Sequence, residues 1–242
     1  MLEFSLDGYS QLLSALKRAG YVFCDYAKTD AHLAERCSFV TLRHDIDISL
    51  RPALAMAQIE RQHGVQAIYF ILLRSPFYNA FSRENAEIIE EIHSYGHQIA
   101  THVDLTFYNN DLSSSLVEIE SFAQFYPAVN QELVSLHSPY PLKEMPVDTC
   151  QQLNNVYGAA VRGDVAYISD STGRWRYGQP LESEAFKQRK PIQLLTHPIW
   201  WYQEGETPIQ KLERWLYNDY HNQRDTLRKF LPKLFQLDEP SQ

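Results

Sequence analysis

Apolar runs alternate with segments of helical periodicity along most of the chain. Short apolar runs rich in β-branched and aromatic residues predict buried strands. Segments with apolar residues at helical spacing, opened by Ser or Asp and closed by Gly, predict helices between those strands. The predicted strands are "VTLRHDID" at 40–47, "QAIYFILL", "QIATH", "ELVSLH", "VAYISD" and "IQLLTH".

The predicted helices fill the segments between these strands. "SLRPALAMAQIERQHG" opens at Ser49 and ends at Gly64, and "SRENAEIIEEIHSYG" begins at Ser82. "LSSSLVEIESFAQFY" and "VDTCQQLNNVYG" are also predicted helices, the second capped by Asp148. The region 207–234 predicts a long terminal helix that starts Thr-Pro. "YGAAVRG" predicts a weak additional strand.

Alternation of strand and helix predicts parallel strands joined by right-handed crossovers. About seven such units would fill the chain, which shows no repeat and no clear linker. The sequence therefore predicts an α/β fold, a single irregular (β/α)7-type barrel with parallel strands that forms one domain over 1–242. An open doubly wound sheet is the alternative.

Composition and charge exclude several classes of function. The formal charge of -8, from 22 Lys and Arg against 30 Asp and Glu, argues against a nucleic-acid partner. The three cysteines are too scattered for a disulfide framework. The acidic start "MLEFSLDGYS" does not resemble a signal peptide, and "AIYFILL" is too short to span a bilayer. We therefore expect a cytoplasmic protein with no integral membrane contact.

Polar side chains recur where the predicted strands end. In a parallel β/α fold the carboxyl ends of the strands lie on one face, and active sites form there. Imidazoles and carboxylates gathered at that face predict a metal site with acid–base groups. The strand-ending polar residues are His44, Asp45, Asp47, Arg74, Ser75, His102, Asp104, His137, Asp170 and His197.

Asp45 and Asp47 are two residues apart on extended backbone, so their side chains point to the same side. Two like charges on one face raise one pKa unless a cation lies between them. A divalent metal removes that cost, with one carboxylate as ligand and the other free to move protons. His44 points to the opposite side, where packing or orientation of the site is its expected role.

The motifs over about 39–202 resemble those of the polysaccharide deacetylases with a NodB-homology domain, the family 4 carbohydrate esterases, in a divergent His-Asp-x-Asp branch. "RHDID" resembles the first family motif and "GHQIATH" the second. "LHSPYP" stands where the third occurs, "DSTGRW" resembles the fourth, and "LLTHP" resembles the last. The resemblance implies these roles: Asp45 as catalytic base, Asp47 and His102 as metal ligands, His197 as general acid, and Asp170 and Trp175 as support for that histidine and the pocket.

One position departs from the family pattern. The family has a second metal histidine four residues after the first, where this chain has Thr106. His137 stands where the third motif normally has Arg, and we hypothesise that it supplies the missing nitrogen. Asp104 is a second candidate for that ligand. Thr106 also motivates an alternative function, that of a catalytically inactive glycan-binding protein with the same fold.

The resemblance implies a metal-dependent hydrolase that removes an N-acetyl, or related acyl, group from a sugar or polysaccharide precursor. Zinc is the expected divalent ion. A backbone N–H near Tyr140 is expected to stabilise the oxyanion. Trp200 and Trp201 offer flat faces to sugar rings, although at least one could simply pack the barrel rim.

Arg74 could meet a carboxylate or phosphate, which favours an acylated sugar that is anionic or carrier-linked as the substrate. A glycosidase that uses Asp45 and Asp47 as its carboxylate pair ranks third. Carboxylates that flank a glycosidic bond usually come from different strands, and such chemistry would not explain the converging histidines.

Overall fold

The chain folds around a parallel β-sheet. The structure is a computed structural model, and it describes residues 2–137, 154–176 and 178–237. The strands are β1 (Val22–Phe23), β2 (Phe39–Ile46), β3 (Ile68–Leu72), β4 (Gln98–Val103), β5 (Val129–Leu136), β6 (Asn154–Asn155), β7 (Ala166–Ser169) and β8 (Ile192–Thr196).

The strand order is β6-β5-β4-β3-β2-β8-β7, with β1 paired to the start of β2, and every pairing is parallel. The predicted α/β class with parallel strands is therefore confirmed. The two ends of the sheet curl toward each other, because the ring of Tyr157, just after β6, lies 5.8 Å from that of Tyr167 in β7. No strand pairing joins β6 to β7 among the described residues, which is consistent with an irregular barrel.

Helices follow most strands and cover the sheet. The predicted caps of α3 are confirmed, because Ser49 is its N-cap and Gly64 ends it with a left-handed φ of 63°. Ser82 caps α4 by accepting from the N–H of Asn85. The helices are α1 (Leu6–Arg18), α2 (Thr29–Ala34), α3 (Leu50–His63), α4 (Arg83–Ser94), α5 (Leu116–Phe125), α6 (Gly158–Arg162), α7 (Glu184–Lys187), α8 (Pro198–Tyr202), α9 (Pro208–Phe230) and α10 (Pro232–Leu237).

Two predictions in the region before β7 were wrong. "YGAAVRG" forms helix α6 rather than a strand, since Ala159 and Ala160 pack into a core cluster with Phe39 and Gly163 ends the helix with a φ of 80°. The last residues of the predicted helix "VDTCQQLNNVYG" include strand β6. Apolar runs this short have no distinguishable period, so the pattern cannot separate strand from helix. The predicted cap Asp148 lies outside the described residues.

Helix α1 was not predicted, although its pattern is helical. Tyr9, Leu12, Leu13 and Leu16 are fully buried at helical spacing, and Ser5 caps the first turn. Helices α1 and α8 both pack against α3, on the side of β2 opposite to the side that carries Asp45.

The chain divides into two compact units, 1–202 and 203–242. The second unit holds the predicted terminal helix, which here is α9 followed by α10. Thr207 forms a capping box with Gln210 at the start of α9, and Pro208 takes the first helical position, as predicted. Among the described residues, none of the helices combines the length and the apolar character needed to cross a bilayer.

Candidate active site

Strand β2 carries charged side chains on both of its sides. Arg43 and Asp45 share one side with Phe70 of β3, which belongs to the apolar cluster inside the curled sheet. His44 points to the other side, toward α1 and α3. This alternation is what a strand dictates, and it places Asp45 and Asp47 on the same side, as predicted.

The loop after β2 is held by side chains that follow β3. Ser75 donates its hydroxyl to the carbonyl of Asp47 at 2.7 Å, and Tyr78 donates to the carbonyl of Ile46 at 2.7 Å. Tyr78 also accepts from the N–H of Leu72 at 3.0 Å. These bonds fix the backbone that presents the Asp47 carboxylate.

Asp47, His102 and His137 form a compact triangle of possible metal ligands. Asp47 Oδ1 lies 3.3 Å from His102 Nε2 and 3.2 Å from His137 Nδ1, and the two nitrogens are 3.2 Å apart. The three residues come from the carboxyl ends of β2, β4 and β5, where the parallel fold was expected to gather them. We call this set the Asp47 triangle.

The orientation of the His102 ring suits a metal ligand. Its Nδ1 lies 3.0 Å from the carbonyl of Ser135, which can only accept a hydrogen bond, so Nδ1 carries the proton. In the neutral ring Nε2 then has a free lone pair directed into the triangle. A backbone carbonyl that fixes the tautomer in this way is usual behind metal-bound histidines.

The charges around the triangle favour a cation. Burial alone would raise the pKa of Asp47, but the neighbouring imidazoles of His102 and His137 and the charge of His197 hold it well below its usual range. The Asp47 carboxylate beside His137 raises the pKa of that imidazole against the opposing effect of burial.

The triangle passes a geometric test for a divalent ion. Asp47 Oδ1 is shielded from solvent, and no N–H or O–H of a described residue is aligned to donate to it. Nitrogen and oxygen ligands at 2.0–2.2 Å from a tetrahedral ion lie about 3.4 Å apart, close to the separations in the triangle. Asp47 is 25% exposed and His137 is 45% exposed, so an ion there could bind further ligands from solvent.

Asp45 lies beside the triangle and is buried. Its Oδ2 accepts from the hydroxyl of Ser135 at 3.0 Å, lies 3.5 Å from Arg43 Nη2 and is 3.9 Å from His102 Nε2. Its Oδ1 has no hydrogen-bond partner among the described residues. Arg43 in turn donates to Ser135 at 3.1 Å and lies over the ring of Tyr157 at 4.2 Å. One oxygen of Asp45 is therefore held, and the other is free to accept a proton.

His197 is held by Asp170, which is fully buried. Its Nδ1 lies 2.6 Å from Asp170 Oδ1, and its backbone N–H also donates to that carboxylate at 3.0 Å. Trp201 donates its indole N–H to Asp170 Oδ2 at 2.8 Å. Burial alone would lower the pKa of His197, but the hydrogen bond and charge of Asp170, with the charges of Asp47 and Asp45, raise it to about 9.

A small cavity joins these groups. Asp45, Asp47, His197 and Trp200 all line it. His197 Nε2 lies 3.7 Å from Asp47 Oδ2, so the imidazole faces the triangle across this cavity. The side chain that carries a proton to a leaving group would have to stand in this position.

The two tryptophans after His197 are buried rather than open. Trp201 is 1% exposed and Trp200 is 8% exposed. Trp201 supports Asp170, while Trp200 lines the cavity with an indole N–H that has no partner among the described residues. Trp175 is half-buried, stacks on Phe4 at 5.4 Å and touches Trp201 edge-on at 5.9 Å. Trp201 therefore has no open face to offer a sugar ring.

The remaining candidates either do not belong to the Asp47 triangle or lie outside the described residues, although the charge of Asp104 contributes to the raised pKa of His137. Arg74 is paired with Glu118 at 3.0 Å and donates to Tyr108 at 3.2 Å, so its charge is already compensated. Thr106 donates to Asp104 at 2.7 Å, and the two residues bond each other. Tyr140 lies outside the described residues.

A second buried polar cluster lies on the far side of β2. Glu60 accepts from Tyr69 at 2.7 Å and from Tyr9, and its Oε1 is 2.7 Å from His44 Nε2. The other nitrogen of His44 is 2.7 Å from Thr196 Oγ1, immediately before His197. We call this set the Glu60 cluster. His44 therefore points away from Asp45, as its place on the strand predicted, and contacts Glu60 and Thr196.

Sequence reasoning missed Arg43, Ser135 and Glu60. The contribution of Arg43 could have been predicted from the sequence. It lies two residues before Asp45, so its side chain points to the same side of an otherwise apolar strand. Ser135 lies in the same relation to His137. The contribution of Glu60 could not have been predicted, since a glutamate in the last turn of an amphipathic helix is ordinarily exposed.

Comparison with known proteins finds one weak structural similarity and does not identify a family for this chain. No family model matches the chain, and no curated protein matches it. A solved structure, that of the chitin deacetylase from the fungal pathogen Colletotrichum lindemuthianum, is 16% identical, with 75% of this chain and 82% of that chain covered and a TM-score of 0.40. A similarity this weak carries no argument about activity.

Proposed function

We propose that the protein is a metal-dependent hydrolase that removes an N-acetyl, or related acyl, group from a sugar. The observation that carries the proposal is the Asp47 triangle, with a buried carboxylate on one side and a carboxylate-held imidazole on the other. Such a set suits hydrolysis of an amide or ester, because it combines an ion site, a base and an acid within one cavity.

Asp47, His102 and His137 would hold the ion, and zinc suits their oxygen and nitrogen donors. A bound divalent ion would supply water activation and polarisation of the acyl oxygen. Asp45 accepts the proton of the attacking water at Oδ1, while Ser135 and Arg43 keep Oδ2 in place.

His197 donates its Nε2 proton to the leaving nitrogen or oxygen of the sugar. Asp170 fixes the ring by holding both Nδ1 and the backbone N–H. Trp201 and the half-buried Trp175 exclude water from one side of Asp170. Without that water, the negative charge of Asp170 acts more strongly on the imidazole of His197. The base and the acid both line the cavity.

The order of the motifs supports an acylated sugar as the substrate. "RHDID", "GHQIATH", "DSTGRW" and "LLTHP" follow one another as they do in the polysaccharide deacetylases that they resemble. The structure weakens the reason for the alternative of an inactive glycan-binding protein. That alternative was motivated by the loss of a ligand at Thr106, and the position of His137 beside Asp47 and His102 supports it as the third ligand.

Release of acetate from N-acetylated oligosaccharides tests the proposal. We expect turnover by the zinc-loaded protein and loss of turnover after chelation, with recovery when zinc returns. Asp45→Asn should retain zinc and lose turnover. Zinc-loaded wild type that releases no acyl group from neutral, anionic or lipid-linked amino sugars would contradict the proposal.

Arg74 tests the proposed anionic character of the substrate. Arg74→Gln should lower the rate on uronate-containing or phosphorylated sugars more than the rate on neutral ones. The charge of Arg74 is already paired with that of Glu118. An equal effect on both classes of sugar would therefore mean that Arg74 holds its neighbours in place and does not bind the substrate. In that case the substrate need not be anionic.

A further inference from the structure

A second group of metal-ligating side chains lies at the opposite end of β2. His32, Glu35 and Cys37 each offer one ligand atom, and these atoms all lie within 4.8 Å of one another. Cys37 lies just before the first residue of β2, whereas Asp47 of the triangle directly follows its last residue. A strand of eight residues spans about 26 Å at 3.3 Å per residue, so the two groups cannot share an ion.

The backbone brings these three side chains together. Helix α2 ends in a Schellman motif, in which the N–H of Cys37 donates to the carbonyl of His32 at 3.0 Å. The N–H of Arg36 donates to the carbonyl of Leu33 at 3.1 Å, and Arg36 has a left-handed φ of 56°. The turn folds Cys37 back onto the last helical turn and leaves Glu35 between the other two ligands.

The distances suit a divalent ion with modest adjustment. Glu35 Oε2 lies 3.7 Å from Cys37 Sγ and 3.9 Å from His32 Nδ1. Ligands of a tetrahedral zinc lie about 3.4–3.6 Å apart for this mixture of nitrogen, oxygen and sulfur. Glu35 is 67% exposed, so a small rotation of its side chain would close the difference.

An independent observation points to a ligand at His32. Its Nδ1 is shielded from solvent and has no hydrogen-bond partner among the described residues. The ring packs near Phe39, with centroids 5.7 Å apart, and Cys37 packs against the apolar cluster that contains Phe39. The imidazole is therefore held with an unused nitrogen directed toward Glu35.

We propose that His32, Glu35 and Cys37 form a second metal site, which takes a borderline-soft divalent cation such as Zn²⁺ or Co²⁺. Thiolate and imidazole together select this class of ion over Mg²⁺ and Ca²⁺. Cys37 loses its proton to solvent when its sulfur binds the ion. The exposed side of the site leaves room for water or a further donor. An ion there would tie α2 to the start of β2, far from the candidate active site.

Cobalt spectroscopy separates this site from the Asp47 triangle, since only a cysteine ligand gives a thiolate-to-Co²⁺ charge-transfer band in the near ultraviolet. We expect the full-length protein to develop this band on titration with Co²⁺, and Cys37→Ser to lack it. Asp47→Asn should retain it, because the triangle contains no sulfur. Cys24→Ser, at a described cysteine outside this group, is the matched control and should also retain the band.

The other two ligands are tested by concentration dependence. His32→Ala and Glu35→Gln should each raise the Co²⁺ concentration that gives half of the band by at least about 10-fold. Glu132→Gln, at another exposed glutamate, should not change it. Circular dichroism confirms that each variant is folded. Absence of the band in wild type, its persistence in Cys37→Ser, or its loss in Asp47→Asn would overturn the proposal.

Discussion

Strand β2 separates two buried polar clusters that differ in how completely their hydrogen bonds are formed. In the Glu60 cluster, both carboxylate oxygens have partners, and Glu60 and His44 are fully buried. In the candidate active site, Oδ1 of Asp45 and Oδ1 of Asp47 have none among the described residues. Both clusters combine carboxylates with imidazoles, and they lie on opposite sides of the same strand.

The difference indicates what each cluster does. A buried polar group without a partner is costly, so a protein retains it where something else completes it. The Glu60 cluster is complete by itself and therefore serves the fold. The Asp47 triangle could be completed by an ion, and Oδ1 of Asp45 could be completed by a hydrogen-bond donor such as water.

The largest effect is expected for Asp47→Asn. This variant should lose the ion at the triangle, and its turnover should fall by at least about 10⁴-fold because activation of water is lost. Its free energy of unfolding at neutral pH should fall in the absence of metal, because the lowered pKa of Asp47 means that its carboxylate, beside the imidazoles of His102 and His137, stabilises the folded state. Zinc content, initial rate and urea unfolding measure the three quantities. A variant that keeps the zinc and the rate would remove Asp47 from the ligand set.

Asp45→Asn and His197→Ala come next. Each should lower turnover by about 10²–10⁴-fold, the usual contribution of a positioned base or acid. Both should keep the zinc, which distinguishes them from Asp47→Asn. The control is His93→Ala, whose imidazole belongs to α4 and contacts the carbonyl of His97. Near wild-type turnover in either variant would contradict the assigned role.

Glu60→Gln should act on stability instead. Breaking a buried charged network by removing one partner costs about 3–5 kcal/mol of unfolding free energy. Glu87→Gln is the matched control, because the exposed pair of Glu87 with Arg83 contributes about 1 kcal/mol or less. Urea unfolding of the metal-free proteins measures the difference. Glu60→Gln with unchanged stability and lost zinc would reverse the roles assigned to the two clusters.

The smallest effect is expected for Trp201→Phe. This change keeps an aromatic ring but removes the hydrogen bond to Asp170, which is worth about 1.5 kcal/mol or about 10-fold in rate. Trp175→Phe, which removes an indole N–H without a described partner, is the control and should have a smaller effect. Steady-state rates of the two variants give the comparison. Equal rates would mean that the indole N–H does not position Asp170.

The carboxylates around His197 allow a prediction about the titration of its imidazole in the metal-free protein. Its pKa is raised from 6.5 to about 9, so the stability that its proton contributes is fully present below about pH 6.5, falls as pH rises and is gone above about pH 9. Asp170→Asn should move the titration toward lower pH, and so should zinc binding at the triangle. Imidazole chemical shifts followed by NMR measure both displacements. A titration that Asp170→Asn leaves in place would show that this carboxylate does not set the pKa.

The sequence predicted the strand ends more successfully than the helices near them. A strand has a period of two, so the shared direction of Asp45 and Asp47 followed from the sequence alone. Parallel topology then placed His102 and His137 at the same face. The partners of Asp45 were not predicted, because the pairing of Arg43 with Ser135 depends on the register of strands far apart in the chain.

The errors were concentrated in short segments. Helix α6 has five residues, fewer than two turns, and its small apolar residues fit either a strand or a helix. The prediction of sugar stacking by Trp200 and Trp201 rested on residue type, and residue type does not determine exposure. Trp201 is buried against Asp170, as the packing alternative expected for at least one of the two, whereas Trp200 lines the cavity.

Anomalous X-ray diffraction from zinc-soaked crystals of Cys37→Ser shows whether the Asp47 triangle binds a divalent ion. This variant removes the second proposed site. We expect an anomalous peak within about 2.0–2.2 Å of Asp47 Oδ1, His102 Nε2 and His137 Nδ1. Absence of a peak there with zinc in excess, or a peak that His137 does not contact, would contradict it.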